Sequence, residues 1–174
     1  MNRRMIAGLV LALLLIGTMA VSAQQKIPFL TSWNKPGHMN LSATVGWYGW
    51  GIDAAVGGEL IMGEFDVATI PLDWGVMAKA LAGMDLFFGG GISWGVAGVA
   101  TLHWGLTWGL DIYAGLGVGV CSTYGTPFGI GIASADGVSW KLTDSLFLLA
   151  DWTYINPIFS GGVSAFGVGV QLKM

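Results

Sequence analysis

The chain has 174 residues, of which 10% are charged and 54% hydrophobic, with a formal net charge of −3. Its mean hydropathy of +0.68 excludes an ordinary water-soluble surface, which needs about a quarter of its residues charged. No excess of Lys and Arg points to nucleic acid. A single cysteine excludes an internal disulfide scaffold, and Cys121 and the two histidines have no ligand spacing, so neither metal nor cofactor is expected.

The chain opens MNRRMIAGLVLALLLIGTMAVSAQQ. Arg3 and Arg4, an uncharged apolar run and a small-residue Val21-Ser22-Ala23 site predict a secretory signal peptide over 1–23, cut after Ala23. Residues 24–38 are polar, contain Pro28 and Pro36, and read as a periplasmic N-terminal segment. Residues 39–174 must then hide their apolar groups in lipid.

Helices and closed barrels are the structures that satisfy every backbone group inside a bilayer. The stretches 86–110 and 112–135 are apolar enough by length for helices, but the period is two. In TWGLDIYAGLGVGV (107–120) every second residue from Trp108 is apolar, while the other set is Thr, Gly, Asp, Tyr and three more Gly. A helix would scatter these residues, and a strand sorts them onto two faces.

The same alternation recurs at 39–47, 52–62, 70–83, 91–104, 128–141, 145–155 and 163–174. With 107–120 that makes eight strands, each long enough for the roughly 9–11 residues a tilted strand needs to cross a bilayer. The fold class is therefore all-β: a transmembrane, antiparallel, up-and-down barrel of eight strands with its apolar set toward lipid. Residues 63–69 break the phase and predict an irregular turn or bulge. Ser134 and Asp136 fall on the lipid side, which predicts a bulge near 134–137 or a place close to the interface.

Tight turns at 105–106 and 142–144 mark the periplasmic end. The opposite connections, 48–51, 84–90, 121–126 and 156–161, are short for extracellular loops. Trp104, Trp108 and Trp140 beside the tight turns, and Trp47 and Trp50 at the other rim, form two aromatic girdles.

GVSWKLTDSLFLLADWTYI (137–155) resembles the last hairpin of small outer-membrane barrels of the OmpA transmembrane and OmpX type. SAFGVGVQLKM (164–174) resembles their final strand, the one that the barrel-assembly machinery recognises. The resemblance implies an eight-stranded barrel in the outer membrane of a diderm bacterium, with outer-membrane lipids and that machinery as partners. This chain departs from the family in ending on Met174 rather than Phe and in its short outer loops, which argues against an adhesin or receptor role.

The predicted lumen carries a polar network of Asp53, Glu59, Asp73, Lys79, His103, Asp111, Asp151 and Lys173. Buried charges must be paired or hydrated, so the network reads as structural, or else as a narrow path for water, protons or ions. Its inward Gly and Ala residues leave space. Large neighbours such as Tyr113, Met77 and Phe147 would fill it, or a small ligand would occupy it, or 24–38 would plug it. No catalytic residues are assigned. The sequence reads as a non-enzymatic barrel with a structural or narrow-conduit role. The alternatives are a binder or transporter of a small hydrophobic or amphipathic ligand and, least favoured, a lipid-modifying enzyme using His103. Oligomeric state is left open.

Overall fold

A computed structural model describes residues 29–48, 51–67, 70–86, 91–123, 128–158 and 161–174. The expected signal peptide, its cleavage site and Trp50 lie outside the described residues. The elements are β1 (Leu30–Thr31), β2 (Met39–Tyr48), β3 (Gly51–Val67), β4 (Ile70–Asp85), β5 (Ile92–Leu106), β6 (Leu110–Ser122), β7 (Gly129–Lys141), β8 (Leu146–Pro157) and β9 (Val163–Lys173).

Strands β2 to β9 each pair antiparallel with their sequence neighbours, and β9 pairs back onto β2, from Asn40↔Lys173 to Trp47↔Phe166. The ring is thus an eight-stranded up-and-down barrel with no open edge between its strands. Cα partners run from Asn40 through Glu59, Met77, Val99, Gly117, Ala133 and Ile155 to Val163. The β9–β2 register then rejoins β2 about ten residues further along, a stagger that tilts the strands about the axis.

The period-two pattern becomes an inside and an outside. Along β5, exposed Ile92, Trp94 and Val96 alternate with buried Ser93, Gly95 and Ala97. The exposed set is predominantly apolar, with Asp136 of β7 the charged exception near a strand's middle; the buried set mixes small, large apolar and charged residues.

Two local expectations need correction, and a third is placed more finely. The turn between β5 and β6 is at 107–109, not 105–106: Gly105 and Leu106 still pair with Asp111 and Leu110. Gly109 breaks the strand at φ 94, and its N–H donates to the Leu106 carbonyl at 3.0 Å. Such a φ strains any residue with a Cβ. Trp108 continues the apolar phase by accident of the turn, which is why alternation alone extended the strand too far.

Of the irregular turn or bulge expected at 63–69, the bulge is present, at the start of that stretch; 68–69 lie outside the described residues. A bulge between Ile61 and Gly63 shifts the register, and the ladder resumes from Gly63↔Trp74 to Val67↔Ile70. The extra residue resets the phase, so Phe65 and Val67 face outward. The Trp74 ring lies over Gly63, where a Cβ would stand 2.5 Å from the indole nitrogen. There is also no bulge at 134–137. Partners of β7 are continuous on both sides through this stretch, and Asp136 points outward.

At the end that carries Met39 and Met174, the β7–β8 turn is tied by the Thr143 hydroxyl, which accepts from the Leu146 N–H at 3.0 Å. Lys141 pairs with Asp144 at 2.8 Å in the same turn, and this ammonium holds the Asp144 carboxyl below the usual carboxylate range.

Candidate functional site

The lumen gathers all eight residues of the expected polar network, each of them buried. Position two by two along each strand puts them there, and the register decides which of them meet. They divide into a terminal-side cluster, a central ion pair and one further acid, Asp53, that shares the field of that pair.

The terminal-side cluster centres on His103 of β5, which is fully buried. Its Nε2 lies 2.8 Å from a Glu59 carboxylate oxygen and its Nδ1 lies 3.2 Å from Asp111 Oδ2. A histidine between two carboxylates donates to both only as the imidazolium. Glu59 also accepts from the Thr101 hydroxyl and, at 3.0 Å, from the Asn40 amide. Lys173 reaches Asp111 at 3.6 Å, with its ammonium 4.1 Å from the centre of the Phe147 ring.

The segment before β2 enters this cluster. Strand β1 adds to the end of β5 through Leu30↔Leu106 and Thr31↔Gly105. Trp33 Nε1 donates to the Leu106 carbonyl at 2.7 Å, and Lys141 stands over the Trp33 ring at 4.9 Å. These contacts turn Asn34 into the lumen, where it is fully buried. Its backbone N–H donates to Asp73 at 3.1 Å and its amide to Asp111 at 3.2 Å, while the Ser32 hydroxyl donates to Asp73 at 2.6 Å. The described part of 24–38 therefore caps this end of the barrel.

One layer further in, Lys79 of β4 is ion-paired with Asp151 of β8 across the lumen, and Asp151 accepts from the Tyr113 hydroxyl at 3.1 Å. The Tyr113 ring stacks on His103 at 5.4 Å between centroids and lies over Gly137, where a Cβ would sit 2.6 Å from it. Towards the loop end the lining turns apolar. Ile155 reaches across to Gly95 and Gly119, beside Leu81, Cys121 and Val163. Asp53 is also buried, within electrostatic reach of Asp151 and Lys79, and neither of its carboxylate oxygens has a side-chain hydrogen-bond partner.

This arrangement neutralises charge and fills space. Both nitrogens of His103 are occupied by carboxylates, so it presents no free base. Among the described residues no group of His, Cys, Asp and Glu is placed to hold a metal ion. Sequence reasoning missed Ser32 and Asn34. The signal that would have found them is a non-alternating stretch, SWNKPG, that ends directly against the first strand.

On the outer wall, Trp47, Trp108 and Trp140 are exposed and Trp104 is half-buried. Trp74 joins the terminal-side group and Trp94 the loop-side group; neither was anticipated.

No family model matches this sequence, and no curated protein matches it. Solved structures do. The chain is similar to Ail, the attachment invasion locus protein of Yersinia pestis. In one crystal structure the identity is 13%, with 79% of this chain and 95% of that chain covered, at a TM-score of 0.46. In another, solved in complex with the heparin analogue sucrose octasulfate, identity is 14% over the same shares, at 0.49.

Proposed function

We propose that this chain is an integral protein of the outer membrane of a diderm bacterium, with a non-enzymatic, structural role and a lumen held shut from within. The observation that carries this reading is the division of the closed ring: an apolar wall outside, and inside a charged core whose members bond to one another. In a bilayer a closed strand ring leaves no unpaired edge. The end capped by Asn34 then faces the periplasm and the loops face outward. Lipid and the barrel-assembly machinery are its partners.

A ligand-binding lumen is disfavoured by Ile155, which crosses the loop-side half to meet Gly95 and Gly119. A narrow conduit is the second reading. It is favoured by one observation, the succession of ionisable groups from Asp73 through His103 and Glu59 to Tyr113, Asp151 and Lys79.

The test is flotation with vesicles and heat-modifiable gel migration, followed by planar-bilayer recording. The structural reading expects insertion without discrete conductance steps. Steady steps abolished by Lys79→Met would replace it with the conduit.

A further inference from the structure

Asp136 stands near the middle of β7, on the outer face, exposed between Ala114 of β6 and Trp152 of β8. The other carboxylates of the described strands turn into the lumen or stand towards the strand ends: Asp85 at the loop rim, Glu64 and Asp66 beyond the bulge. Nothing among the described residues hydrogen-bonds or ion-pairs with Asp136. A charged side chain facing lipid at mid-depth destabilises a barrel. Ionisable residues at such depth mark functional contacts by default, with a partner to be named.

The wall beside it is shaped. A groove of about 510 Å³ runs along the outside of β3 to β6, with Ala100 and Ala114 between the larger Trp74, Leu102, Leu116 and Phe65. Ala114 is the rung partner of Asp136, so the carboxylate stands at the groove's edge. Cross-strand neighbours have Cβ atoms about 5 Å apart. An apolar hollow and an acid thus lie within the span of one or two side chains.

Resting on the membrane reading above, three occupants can be weighed. Acyl chains would fill the hollow but bring no cation to that depth. Among the described residues a second copy brings none either: Lys79 and Lys173 point inward, Lys141 is at the terminal rim and Lys35 precedes β2. A two-fold axis along the membrane normal would moreover bring a second Asp136, not a cation, into the same interface. We infer that this face docks a different membrane-embedded protein, one that seats an apolar side chain in the groove and places a Lys or Arg against Asp136.

The experiment uses the full chain in phosphatidylcholine vesicles. The probe is a synthetic polyleucine transmembrane segment with one central Lys and a dansyl label, compared with the same segment bearing Leu there. Energy transfer from barrel tryptophans reads association. The Lys probe should associate about tenfold more tightly than the Leu probe, equivalent to about 1.4 kcal/mol. Asp136→Asn, checked for folding by heat-modifiable migration, should erase that preference. Ala114→Trp should weaken the Lys probe by filling the hollow. Equal transfer to both probes, or a preference that survives Asp136→Asn, overturns the inference. So does an Asp136-dependent dimer of the chain in sedimentation, which assigns the face to a second copy. A chain that does not float with the vesicles overturns the membrane reading first, and this inference with it.

Discussion

Replacing His103 by leucine removes the one cation that touches both Glu59 and Asp111. Leucine fills most of the imidazole volume, so the loss is chiefly electrostatic. Breaking a buried charge pair by deleting one partner costs about 3–5 kcal/mol, and the stack on Tyr113 adds about 0.5–1.5 kcal/mol. The two acids keep other donors: Thr101 and Asn40 for Glu59, Asn34 and Lys173 for Asp111. That places the expected loss near the low end, about 3 kcal/mol, or roughly a 150-fold shift in the unfolding constant. Urea unfolding of the vesicle-inserted barrel, followed by tryptophan fluorescence, measures it. A double variant, His103→Leu with Glu59→Gln, should recover about 1 kcal/mol or more, because the orphaned acid is gone while Asp111 keeps Lys173. The reasoning fails if His103→Leu costs under about 1 kcal/mol, or if the double variant is no more stable than the single one.

Two further substitutions probe the central layer by the same unfolding assay. Gly137→Val sets a branched side chain where the Tyr113 ring lies and should cost about 1–3 kcal/mol through overpacking; Tyr113→Ala in the same background should relieve part of it. Lys79→Met alone should cost about 3 kcal/mol, whereas Lys79→Met with Asp151→Leu should return most of that loss. A double variant as unstable as the single would show that the Lys79–Asp151 pair contributes more than the absence of an orphaned charge.

The barrel was legible because its pattern is local. Each residue's side of the wall follows from its neighbours two positions away, so Glu59, Asp73 and Asp111 could be placed inward one strand at a time. Which of them meet is a property of register, and register is not written in alternation. Nothing in the sequence sets Lys79 opposite Asp151 rather than Asp111, or lays Tyr113 over Gly137. The turn at Gly109 was missed because Trp108 keeps the apolar phase while the backbone leaves the strand. The 63–67 stretch looked irregular because one inserted residue inverts every later side chain. Asn34 was invisible for a different reason: its burial depends on β1 adding to the end of β5, a tertiary contact with no period. Asp136 stood out in the sequence as an exception to the pattern, and the unbroken register of β7 leaves it one.

The seam between β2 and β9 has a consequence for assembly. Met39 and Met174 exchange backbone hydrogen bonds at 3.0 and 2.8 Å, and the rungs from Asn40↔Lys173 upward zip the cylinder closed. Until β9 has arrived, β2 and β8 each present a row of bare amides and carbonyls to hydrocarbon, at several kcal/mol for every group left unsatisfied. On the membrane placement proposed above, seven strands have no stable resting place in the bilayer, and the ring needs protection until the eighth strand locks against the first.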